Sequence, residues 1–135
     1  MTIQANELHI GESISASTLV HVADRRVTVN GKYHSTCKKL FEIPHLKASV
    51  GYFGLAQPTA TDFFSSWLPN TIRHGTGIGT LAEFAGYLEG ELNKRVNKGL
   101  LRKNPSGFHL CGIASDGIPE FYFYSQHWED GRRIL

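Results

Sequence analysis

The stretch from Val22 to Ala56, VADRRVTVNGKYHSTCKKLFEIPHLKASVGYFGLA, holds most of the information about the fold. It opens inside a β-branched run, Ser17–Val29, that predicts a strand. Asn30-Gly31 then gives a strong turn signal, because both residues accept left-handed backbone angles. Beyond the turn, Lys39–Ile43 and Lys47–Phe53 predict two short strands parted by Pro44-His45. In the Ser17–Val29 strand Leu19, His21 and Ala23 alternate with Val20 and Val22, so neither face is plainly polar and both are expected to be covered.

Working outward, Thr2–Ile10 predicts a strand that returns through Gly11-Glu12-Ser13 to form a hairpin with Ser17–Val29. On the other side, Phe64, Trp67, Leu68 and Ile72 share one face of a helix expected over Thr59–Arg73, with Thr59 or Thr61 as its cap and Pro69 as a break or kink. Thr80 is placed to cap a longer helix over Thr80–Lys98, whose stripe is Leu81, Phe84, Ala85, Leu88, Leu92 and Val96. Gly107–Ala114 and Ile118–Ser125 flank the turn Ser115-Asp116-Gly117 and form the plainest hairpin of the chain. The order ββ, ββ, αα, ββ predicts an α+β fold: two antiparallel sheets packed face to face, with helices on an outer side, in a single domain over 1–135.

Composition narrows the functional classes. The chain has 135 residues, 41% hydrophobic and 19% charged, with a formal net charge of +2. That is an ordinary globular composition, and its scattered basic residues do not point to nucleic acid. The basic run from Lys94 to Lys103 suits a solvated helix end. Nothing at the N-terminus reads as a secretion signal, and no apolar run approaches the roughly 20 residues a membrane span needs, so a cytoplasmic protein is expected. Cys37 and Cys111 are too few for a disulfide framework, and neither they nor the histidines show metal-ligand spacing, so no metal or cofactor is expected. His21, set among apolar strand neighbours, reads as a hydrogen-bonded core histidine, and Cys37 reads as packing.

The opening stretch resembles the corresponding part of proteasome β subunits and their bacterial peptidase relatives, the proteasome-like N-terminal-nucleophile hydrolases. The likeness rests on Asp-Arg-Arg-x-Thr at the end of the second strand, a Lys-Lys-apolar start to the third, and a Gly-rich end to the fourth just before the first helix. FHLCGIASDGIPEFYFY, residues 108–124, resembles the hairpin that follows the helical pair in that family. The resemblance implies an αββα sandwich and amide or peptide hydrolysis by an N-terminal threonine, here Thr2 once Met1 is removed. It implies Asp24 and Lys38 beside the nucleophile, Arg26 supporting the site, and the Gly54 backbone N–H facing the oxyanion. In such chemistry the free α-amine shuttles the proton, a nearby lysine favours the reactive oxyanion, and backbone donors hold the tetrahedral oxygen.

Two departures accompany the likeness. The family spacing would place the nucleophile near Leu8, which has no nucleophilic atom, whereas Thr2 needs a longer hairpin, centred near Ser13. The family also continues past the point where this chain ends at Leu135, so a shortened domain that self-associates is expected, its substrate a peptide or small amide. The residues alone leave alternatives open: Asp24 and Arg26 could be a solvated strand end, either Lys38 or Lys39 could face outward, and the chain could be an inactive assembly or binding protein.

Overall fold

A computed structural model describes the chain except residues 1–3, 58–60, 97–98, 100–103, 105, 126, 130–131 and 135. Its centre is an antiparallel sheet in the order β5-β6-β7-β8, formed by β5 (Leu40–Ile43), β6 (Ala48–Phe53), β7 (Gly107–Ile113) and β8 (Pro119–Ser125). Alternation along these strands sorts the two faces. Phe41, Ile43, Val50, Tyr52, Phe108 and Leu110 turn to one side, where α1 (Phe64–His74) and α2 (Leu81–Arg95) cover them with Phe64, Leu68, Phe84 and Leu88. Each such side chain, fully buried, contributes about 1.5–3 kcal/mol, so this layer is the main source of stability. Phe64 packs edge-on against Phe108 at 4.9 Å between ring centroids, and the Tyr124 hydroxyl donates to the Ala85 carbonyl at 2.8 Å, tying α1 and α2 to the sheet.

The opposite face meets a separate ribbon made of β1 (Gln4–His9) and β2 (Thr18–Ala23), paired from Gln4 with Ala23 to His9 with Thr18. Gln4, Asn6, Leu8, Leu19, His21 and Ala23 are its more buried positions, while Ala5, Glu7, His9, Val20 and Val22 face outward. Two further ribbons stand apart: β3 (Arg26–Val29) with β4 (Lys32–Thr36), and β9 (His127–Glu129) with β10 (Arg132–Ile134).

The expected sandwich of two face-to-face sheets is therefore corrected. Among the described residues there is one four-stranded sheet and three two-stranded ribbons, not an αββα arrangement of the N-terminal-nucleophile type. The cause lies in the run read as one strand, Ser17–Val29. It divides at Asp24-Arg25, so β3 leaves β2 and pairs instead with β4, a strand the sequence reading passed over. Asn30 and Gly31 have φ of 51° and 76°, the two-residue turn that closes a hairpin on itself. Each ribbon satisfies its own inner hydrogen bonds, and no second broad sheet forms.

The helices lie where expected but are shorter. Phe63 precedes α1 without a side-chain cap, and the helix runs through Pro69, which forfeits only its own N–H bond. The Thr59 cap position falls outside the described residues. Thr80 caps α2 as read, its hydroxyl accepting from Glu83 N–H at 3.2 Å. Among the described residues no helix is long and apolar enough to cross a membrane.

Candidate functional site

The division of the long strand puts Asp24 and Arg26 in a corner between two ribbons, and the segment leading into β5 brings a lysine to it. That lysine is Lys39, not Lys38. Lys39 Nζ lies 3.0 Å from Asp24 Oδ1, with the lysine side chain 3% exposed and the aspartate 28%. The same ammonium donates to the main-chain carbonyl of Arg26. Arg26 thus serves this corner through its backbone, while its side chain belongs to an exposed residue. A buried ammonium is tolerated only when charge and hydrogen bonds replace its water, and both are supplied here.

Lys38 faces the other way, as strand alternation requires when Lys39 points inward. It is exposed, and its Nζ lies 5.1 Å from the centre of the Phe41 ring. Gly54 follows β6 with φ of 85°, a backbone state that glycine enters without strain. Tyr52 N–H donates to Lys39 O at 3.0 Å, so Gly54 stands two residues past that cross-strand bond, at the Lys39 end of the sheet. Thr2 lies outside the described residues. Gln4, the first residue of β1, pairs with Ala23, the neighbour of Asp24.

No match to this chain is found among protein-family models, curated proteins or solved structures.

A second polar assembly, of which the sequence pattern marks only the core histidine His21, fills the space between the β1–β2 ribbon and the sheet. His21 Nε2 meets Gln4 Nε2 at 2.8 Å, and His21 Nδ1 meets Ser49 Oγ at 2.8 Å and Cys111 Sγ at 3.2 Å. Cys111 Sγ also lies 3.7 Å from Asn6 Oδ1, and Asn6 Nδ2 lies 2.8 Å from His109 Nδ1. One donor sequence satisfies the three closest of these contacts. Gln4 donates to His21 Nε2, His21 Nδ1–H donates to Ser49, and the Asn6 amide donates to His109. Burial lowers the His21 pKa to about 4, with His109 adding repulsion, and burial lowers that of His109 as well. Both rings are therefore neutral at pH 7.

Burial also raises the pKa of the Cys111 thiol, outweighing the opposing hydrogen bond from Ser49. A protonated thiol beside a weakly basic imidazole is a poor nucleophile, so the assembly acts as a clamp between layers rather than as a cysteine–histidine catalytic pair. Period-two reading could have found it: Gln4, Asn6, His21, Ser49, His109 and Cys111 occupy one face of their strands. Among the described residues no group of three or more histidines, cysteines or acids could hold a metal ion, and both cysteines are free thiols.

Proposed function

We propose that the chain hydrolyses amide bonds, with Thr2 as nucleophile after removal of Met1, the chemistry implied by the likeness to proteasome-like hydrolases but on a different arrangement of strands. The observation that supports it is the Lys39–Asp24 pair, its ammonium buried and its carboxylate half-buried, at the end of the ribbon where β1 begins. A buried charge beside a specific partner is the kind of group that tunes a reactive neighbour, and a lysine cation favours formation of an oxyanion nucleophile. In this reading Lys39 takes the role first given to Lys38, Asp24 orients it, and the substrate is a peptide or small amide.

The test is covalent labelling. Protein shown by intact mass to begin at Thr2 is treated with an electrophilic peptide vinyl sulfone, and the adduct is mapped by mass spectrometry. Labelling at Thr2, abolished in Thr2→Ala and slowed at least about tenfold in a folded Lys39→Met variant, supports the proposal. Absence of an adduct on Met1-free protein, or equal labelling of Lys39→Met, rejects it. A second reading, binding without catalysis, is favoured by the engagement of the Lys39 ammonium with both Asp24 and the Arg26 carbonyl, which also suits a purely structural lysine.

A further inference from the structure

Between β2 and β5 the layers part to leave a cleft of about 580 Å³, within the range of small-molecule sites. Its lining falls into three kinds of surface. Leu19, Leu40 and Ile113 supply apolar wall; Ser17, Thr18, His21 and Ser49 supply hydroxyl and imidazole groups; Lys38, Lys47 and Glu42 supply charge. Neither lysine has a carboxylate within ion-pair distance among the described residues, and Lys38 meets only the face of the Phe41 ring, so the cleft holds two cations without a carboxylate partner against one carboxylate.

Lys47 carries a further mark. It ends the single turn Pro44–Leu46 with φ of 47° and ψ of 47°, the left-handed region that glycine or asparagine ordinarily fills. The backbone at this position would be relaxed by glycine, yet a lysine stands there, at the wall of the cleft. Strain kept at a cavity edge is characteristic of ligand clamps.

We propose that this cleft binds a small carboxylate with an apolar body, its charge met by Lys38 and Lys47 and its body laid against Leu19, Leu40 and Ile113. The site is separate from the Lys39–Asp24 corner and does not depend on any reaction at Thr2. His21 is neutral at pH 7 and both its ring nitrogens are already engaged, by Gln4 and Ser49, so it adds no charge to the cleft and the selectivity for anions comes from the two lysines.

Calorimetric titration and amide-resolved NMR with three probes test this: hexanoate, hexylammonium with the same chain but opposite charge, and inorganic phosphate. Hexanoate is expected to bind saturably and to shift the amides of Leu19, Leu40 and Ile113, with the other two probes at least tenfold weaker. Lys47→Gly is the decisive variant, because it removes the ammonium while relaxing the backbone, so the fold is kept. It should weaken hexanoate at least fivefold, and Lys38→Gln should do the same. Equal binding of hexylammonium, phosphate as tight as hexanoate, shifts confined to other residues, or unchanged affinity in Lys47→Gly would each overturn the proposal.

Discussion

Lys39 Nζ stands 3.0 Å from Asp24 Oδ1, with Asp24 just past the end of β2 and Lys39 just before β5, so the ion pair ties the end of the ribbon to the start of the sheet. Removing one partner of such a pair leaves the other without its counter-charge. Lys39→Met should therefore lower stability by about 3 kcal/mol, at the low end for buried pairs because Asp24 keeps some water. Lys38→Met, on an exposed side chain, should change stability by less than about 0.5 kcal/mol. Urea unfolding of the two variants measures the difference, and equal effects would contradict the assignment of the inward lysine.

Stability should fall as the solution is acidified from pH 6.5 towards 4. His21 has its pKa lowered to about 4 in the folded chain, against 6.5 when unfolded, so the unfolded state takes up the proton first. The contribution is complete above pH 6.5 and is lost progressively through pH 4; His109, lowered by burial, acts in the same direction. The groups facing His21 are Gln4 from β1, Ser49 from β6, and His109 and Cys111 from β7, with no carboxylate among them to hold an imidazolium. Thermal melts at intervals across this range should show the midpoint dropping, and His21→Gln should flatten the slope.

The sequence made the central strands and both helices legible because their signals are local: Pro44-His45 parts β5 from β6, Thr80 caps α2, and Ser115-Asp116-Gly117 turns β7 into β8. It misled where tertiary pairing decides. A β-branched run such as Ser17–Val29 carries no local mark of the point at which its hydrogen-bond partner changes, so the division at Asp24-Arg25 and the strand Lys32–Thr36 went unread. Adjacent lysines pose a similar limit. Alternation requires Lys38 and Lys39 to face opposite ways, but which one is inward depends on where Asp24 lies in space.

Two glycines of the sheet should respond unequally to added bulk. A Cβ at Gly112 would stand 2.5 Å from Ala48 Cβ and 3.0 Å from Ala48 Cα, with Leu81 of α2 at 3.1 Å, leaving only packed core and backbone to yield. Gly112→Ala should cost about 2 kcal/mol through overpacking. At Gly51 the nearest atom is the end of the Gln4 side chain, which can swing away. That change loses one hydrogen bond to His21, worth about 1 kcal/mol, and is partly offset by the strand preference of alanine over glycine. Gly51→Ala should therefore cost under about 1 kcal/mol, as read from chemical unfolding.

The two thiols provide a reporter for the clamp between the ribbon and the sheet. Cys111 is 1% exposed, lies under His21 and Asn6, and has its pKa raised by burial, so alkylation requires the ribbon to lift. Cys37 is partly buried, and its sulfur lies 3.3 Å from the Tyr52 hydroxyl at the edge of the helix-covered core, outside the His21 assembly. Under iodoacetamide at neutral pH, peptide mapping should find Cys37 modified well before Cys111, since reactivity follows thiolate fraction and access together. Gly51→Ala frees His21 Nε2 from Gln4 and should speed alkylation of Cys111 severalfold while leaving Cys37 unchanged. Local opening of this kind costs less than global unfolding, so the effect should appear in a variant whose overall stability barely changes. Were Cys111 to react as fast as Cys37 in the parent chain, the ribbon would not be clamped to the sheet, and the acid-dependent loss of stability would need another source.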